Sequence, residues 1–313
     1  IGSRLCSELS SKEGGAVAIT VVDLLWFGNH LKEGSYERLL KVDYEQLPVE
    51  FLAFFDVVIL LAGHSSVKMC LGQIGPSFRN NVSRAVGLVE KLEKAQQHKR
   101  IKFIYASSSS VYGNADGSSP VDETYKIDDP NNYYDLSKLT IDLYTKMSSL
   151  EFYGLRFGTV CGASPNLRSD VMLNNMVCDA LLKKEVRLYV SEIRRPVLGI
   201  RDLCRAMGTI IACKDDNRGI YNLASFNGTV EEYGLAVAKG LNVPVKRLSV
   251  LQVEKMTNVK LQSKQYDFAI CSNLFCKTFG FKFVETVPSI VNELIHAYPH
   301  VHYETRNLRK SAL

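Results

Sequence analysis

Short apolar runs separated by segments of helical periodicity constrain this chain more than any other feature. AVAITVVD (16–23), ERLLKVD (37–43), FDVVILLAG (55–63), IKFIYASSS (101–109) and EFYGLRFGTV (151–160) have the length and β-branched content of strands. A helical pattern from Ile74 to His98 joins the third run to the fourth, and another from Tyr134 to about Leu150 joins the fourth to the fifth. A helical crossover returns the chain to the same end of a sheet, so strands joined in this way lie parallel. The expected fold is α/β, a doubly wound parallel sheet. After Cys161 the rhythm loosens. Helices are expected over 171–184, 200–213, 230–241, 271–278 and 287–297, strands over 186–190 and 219–225, and a mixed region over 244–266. This smaller mixed α/β C-terminal region has no linker before it and is expected to cover the C-terminal strand ends, where open α/β sheets bind ligands.

The charge balance excludes some partners. Thirty-eight basic against 33 acidic residues give +5, spread along the chain apart from a basic end, TRNLRKSAL. That suits an anionic small molecule and is too weak to point to nucleic acid. Eight cysteines without a CxxC pair read as reduced thiols of a cytoplasmic protein. No run of 18 apolar residues and no signal pattern point to a membrane or secretion, so the sequons at Asn81 and Asn227 read as chance. His296, His300 and His302 read as a solvated helix end: Pro299 breaks their register, no acid or cysteine completes a set, and no metal is expected.

The chemistry concentrates in residues 101–138. A buried strand carries a row of hydroxyls, including Ser108, to its C-terminal end, and a helix follows with Tyr134 and Lys138 four residues apart. That spacing puts phenol and ammonium on one face. A lysine beside a tyrosine is expected to lower the phenol's pKa, so that Tyr134 exchanges a proton near neutral pH while Ser108 bonds the same oxygen. The set suits oxidation of an alcohol or reduction of a ketone. Tyr133 is out of register with the lysine.

ASSSSVYG, then Glu123-Thr124, YYDLSKL and LRFGTVCG resemble, in order and spacing, the extended short-chain dehydrogenase/reductases, the NAD-dependent nucleotide-sugar epimerase/dehydratase family. The resemblance runs from Ile1 to about Asp202 and more weakly to Ala297. It implies a Rossmann-like NAD-binding domain over 1–162, to which later segments return, and a mainly substrate-binding region over 163–313. It makes Ser108, Tyr134 and Lys138 the catalytic set. For the cofactor it implies Gly2, the last glycine of the phosphate loop, and Asp23 on the adenosine ribose diol. Asp43 and Tyr44 match the adenine contacts, Ala62 and Gly63 the small residues after the strand, Asn81 a residue steadying that loop, and Phe157 a position near the nicotinamide. Asp23 and the absence of a following arginine favour NAD over NADP. Asn175 and Arg195 match positions that hold the sugar nucleotide's phosphates; a solvent-exposed Arg194-Arg195 pair is the alternative.

The family's first strand and first two loop glycines are missing, and the expectation is that they precede the sequence given. Other departures are Thr159, Cys161 and Ala163 for the usual asparagine, tyrosine and proline, and Gly199 for a histidine; Lys264 is near the place of a late arginine. Ser109-Ser110 replace the Asp-Glu pair of the 4,6-dehydratases, which argues against dehydration. The expected activity is NAD-dependent epimerisation of a nucleotide sugar through a transient keto intermediate, in a homodimer joined by the Tyr134 helix and the one before it. The alternatives are a nucleotide-sugar or keto-sugar reductase with the same residues, and a non-catalytic NAD-binding regulatory subunit.

Overall fold

The computed structural model describes residues 1–11, 17–97, 99–113, 115, 119–257 and 266–298. His300, His302, Lys264 and the basic C-terminal end lie outside them. The first half runs α1 (Gly2–Ser10), β1 (Thr20–Val22), β2 (Arg38–Leu40), α2 (Val49–Leu52), β3 (Val57–Leu60), α3 (Val67–Gly72), α4 (Ile74–Phe78), α5 (Arg84–Ala95), β4 (Lys102–Ser108), α6 (Tyr133–Lys146) and β5 (Glu151–Phe157). Then come β6 (Thr159–Cys161), α7 (Met172–Lys183), β7 (Val186–Leu188), β8 (Arg194–Gly199), α8 (Ile200–Ala212) and β9 (Gly219–Leu223). β10 (Phe226–Thr229), α9 (Val230–Leu241), β11 (Val245–Arg247), α10 (Val250–Thr257), α11 (Asn273–Phe279) and α12 (Val287–Ala297) complete the order.

The centre is a four-stranded, all-parallel sheet, β3-β4-β5-β9, with β1-β2 forming a separate parallel pair. Every residue of β5 is buried, as a parallel strand covered on both faces requires. Successive side chains of β4 enter opposite layers: Phe103 and Tyr105 pack with Val89 and Leu92 of α5 and Ile141 of α6, while Ile104 packs with Leu5 of α1, Leu203 and Met207 of α8 and Phe275 of α11. β1 and β3 are not hydrogen-bonded to each other, yet both feed these layers, Ile19, Val57 and Ile59 on one face and Val22, Val58 and Leu60 on the other. The result is a three-layer α/β/α body. A second body is built from α7, α9 and α12 around β7 and β8.

Some elements differ from the sequence pattern. The long helix expected over 74–98 is α4, a π-helical turn at Arg79–Ser83, and α5. π-turns cluster at functional positions; here Asn81 lies in the turn, its side chain buried against the loop after β3. β8 and β10 were not apparent, because Pro196 and Asn227-Gly228 are poor strand formers; antiparallel pairing of Asn227 with Pro196 makes them strands.

Candidate active site

Gly63, Ser108 and Phe157 follow or end three strands of the central parallel sheet, so they gather at its C-terminal edge, and Asp23 follows β1 of the separate parallel pair. Register places Ser108 opposite Phe157 across β4 and β5. Asn132 caps α6 through bonds from the amides of Tyr134 (2.9 Å) and Asp135 (3.0 Å), which fixes Tyr134 in the first turn and Lys138 one turn later. Tyr133 is 45% exposed on the helix's outer side.

Burial sets the titration of this pair. It pushes the Tyr134 phenol up to about 12, with a hydrogen bond between it and Ser108 and the charge of Arg168 opposing the rise and the charge of Asp135 adding to it. It pushes Lys138 down to about 8 against the pull of Asp142. The expected lowering of the phenol pKa by Lys138 is therefore not met. The ammonium donates to the Ala106 carbonyl at 2.7 Å and lies 5.9 Å from the phenol ring centre, so it is not spent on the phenol oxygen.

The expected cofactor residues are placed as follows. Asp23 is exposed; its Oδ1 accepts from the Leu25 amide at 2.6 Å, closing a turn. Asp43 binds the Glu45 amide (3.0 Å) and the Arg84 guanidinium (2.9 Å). The Tyr44 hydroxyl donates to the Asn80 carbonyl. Tyr44, Leu60, Ala62, Asn81, Ala106 and Lys138 line a small cavity. A Cβ on Gly63 would meet Asn81 Oδ1 at 3.0 Å, and Asn81 holds the next residue, His64, through both its amide and its carbonyl. Phe157 is buried in the core layer beneath the sheet, so its ring packs against the core. Gly2 begins α1, and a notional Cβ there would meet no side chain within 4 Å. Small residues after β3 and an exposed acid after β1 suit a dinucleotide.

On the substrate side, Asn175 donates to the Ser169 carbonyl at 3.1 Å. Its neighbour Asn174 is the tighter clamp, binding Gly162 N and the Arg168 carbonyl at 3.0 Å each. Arg195 is not part of a solvent-exposed pair. It donates to the Tyr266 carbonyl at 3.2 Å and stacks 5.6 Å from the Tyr266 ring and 5.9 Å from Phe268, while Arg194 pairs with Asp267. Sequence reasoning missed Arg168, which bridges to Ser65 Oγ at 3.2 Å and whose charge reaches Tyr134. It also missed Asp135 and Tyr266, which meet across 131 residues of sequence. Only the Arg in NLRSD and the Asp directly after Tyr134 were there to be noticed.

Residues 1–224 match the sequence profile described as the NAD dependent epimerase/dehydratase family. The chain belongs to that family. It is 33% identical over 138 residues to Protein CapI of Staphylococcus aureus, covering 43% of this chain and 38% of that relative, so the match spans well under half the relative's length. It is 26% identical over 247 residues to UDP-glucose 4-epimerase of Mycoplasma genitalium, covering 70% and 72%. Among solved structures it resembles UDP-glucuronic acid 4-epimerase from Bacillus cereus in complex with UDP-glucuronic acid and NAD, with TM-score 0.78, 19% identity and 96% of each chain covered. At that identity the likeness is one of fold.

Proposed function

We propose that this chain is an NAD-dependent epimerase of a nucleotide sugar that works through a transient keto sugar. The observation that carries this is the convergence of Ser108 and Tyr134 at the C-terminal edge of a parallel sheet, with Lys138 half-buried one turn along. Family members named as UDP-glucose 4-epimerase and UDP-glucuronic acid 4-epimerase support the substrate class.

In this reading Gly2, Asp23, Ala62, Gly63 and Lys138 hold the dinucleotide, which accepts a hydride from the sugar carbon and returns it. Tyr134 takes the proton of the sugar hydroxyl and gives it back, and Ser108 orients that oxygen. A phenol near 12 is a poor base. The positive charge of an oxidised nicotinamide beside it would lower that value, which ties proton removal to a loaded site. Arg195, with Asn175, takes the diphosphate, a charge match for a desolvated guanidinium. Ser110, at the place of a dehydratase acid, turns inward onto Asp135, so neither residue offers a carboxylate to the sugar.

The protein is proposed to act as a homodimer in the cytoplasm. Leu136, Leu143 and Met147 on or beside α6, and Leu71, Ile74 and Phe78 on α3 and α4, form the apolar faces for it, and eight free thiols suit a reducing compartment. Among the described residues no helix is long and apolar enough to cross a membrane. Bound NAD retained through purification, and interconversion of UDP-glucose and UDP-galactose or their acetamido forms, test the function. Full activity in Tyr134→Phe would sink the role given to that phenol.

A further inference from the structure

A chain of hydrogen bonds leaves the catalytic pair on its inner side. Ser108 Oγ lies 2.8 Å from Ser110 Oγ, and Ser110 Oγ donates to Asp135 Oδ1 at 2.5 Å. The other carboxylate oxygen accepts from Asn132 Nδ2 at 2.8 Å and from the Tyr266 hydroxyl. Asp135 is 0% exposed, so it does not face solvent and reaches the catalytic pair through these partners and through its charge.

Counting hydrogens fixes the direction of the chain. A serine has one hydroxyl hydrogen. When Asp135 is ionised, Ser110 gives its hydrogen to the carboxylate, so in the contact between the serines Ser108 is the donor. Ser108 can then only accept from Tyr134. When Asp135 is protonated the chain can turn round: the carboxyl gives to Ser110, Ser110 to Ser108, and Ser108 is free to donate to the phenol or sugar oxygen. Epimerisation needs both polarities, an acceptor facing the alcohol and a donor facing the ketone.

We propose that Asp135 is a positioning residue which, through Ser110, decides whether Ser108 gives or takes the hydrogen bond at Tyr134. This rests on the proposed pairing of Ser108 with Tyr134. The charged and titratable groups facing Asp135 are Tyr134 on its own helix, Cys70 of α3, Arg195 of β8 and Tyr266. Arg195 stacks on the same Tyr266 whose hydroxyl binds Asp135, so the proposed diphosphate site adjoins the far end of the chain. Burial raises the carboxyl's pKa, with Ser110, Tyr266, Asn132 and Arg195 opposing.

The test replaces Tyr134 with meta-fluorotyrosine and follows its ionisation by fluorine NMR in ligand-free protein, so it needs no turnover. Ser110→Ala leaves Asp135 its bonds to Asn132 and Tyr266 but frees the Ser108 hydrogen for the phenolate. The expected result is a phenol pKa lower by about one unit, restored by Ser110→Thr, which keeps the hydroxyl. Asp135→Asn should lower it as well. An unshifted titration in Ser110→Ala overturns the proposal, even if Asp135→Asn shifts it, because the carboxylate would then act through space alone. Absence of sugar-nucleotide turnover would overturn the function proposed above without moving this titration, so the two fail separately.

Discussion

The Lys138 ammonium gives its hydrogen bond to the Ala106 carbonyl and sits 5.9 Å from the centre of the Tyr134 ring. A half-buried ammonium held by a neutral oxygen is costly to the fold, and its pKa falls from 10.5 to about 8.

The sign of the pH dependence follows. Below about 8 the lysine is charged in both folded and unfolded chains, and the whole burial penalty is present. Between about 8 and 10.5 the unfolded chain binds more protons, so this group's contribution to stability rises with pH. Lys138→Met keeps the length and removes the charge. It should raise Tm at pH 7 by on the order of 2–4 °C, with the gain shrinking toward pH 10, and abolish turnover. Thermal melts at both pH values check this; an equal gain at each would mean that burial of charge is not the cause.

Trp26 is the only tryptophan in the chain, 56% exposed three residues beyond Asp23. With Asp23 on a ribose diol, reduced dinucleotide should quench this indole and be excited by energy transfer from it. The exposed carboxylate repels a 2′-phosphate, so NADH should bind more tightly than NADPH. Asp23→Ser should weaken NADH by about tenfold and narrow the gap between the two. A titration of Trp26 emission with each dinucleotide measures both effects, and an unchanged gap would remove Asp23 from the site.

Leu143 is 54% and Met147 80% exposed on or beside α6. Apolar side chains this exposed and about one helical turn apart suit the proposed interface. Leu143→Glu with Met147→Glu should convert a dimer to a monomer in sedimentation velocity without lowering Tm by more than a few degrees. A wild-type monomer at micromolar concentration would contradict the proposed assembly.

What could be read from the sequence was local. The Tyr134–Lys138 spacing, the hydroxyl-bearing end of β4 and the parallel order of the central strands depend on neighbours in sequence, where periodicity and propensity speak directly. Asp135 meeting Tyr266 across 131 residues, and β8 pairing with β10 despite Pro196, depend on tertiary placement. The titration of Tyr134 failed for the same reason. Spacing showed that a lysine is near, but how much water the fold removes decides the pKa, and no short motif encodes that.

Gly199 is one of the departures from the family pattern, and the fold gives it a cause of its own. The Glu285 carboxylate occupies the volume that any side chain at 199 would need, where Oε2 accepts from the Asp202 amide at 3.0 Å and Oε1 from Arg201 at 3.1 Å. Asp202 in turn binds the amides of Val284 and Glu285, so the glycine and the glutamate together anchor the segment leading into α12. Gly199→Ala should cost about 1–3 kcal/mol of stability by overpacking. In a Glu285→Ala background the same change should cost at least about 1 kcal/mol less, because the carboxylate it strikes is gone. Urea unfolding of the four proteins gives this coupling, and strictly additive costs would show that Glu285 is not what keeps position 199 a glycine.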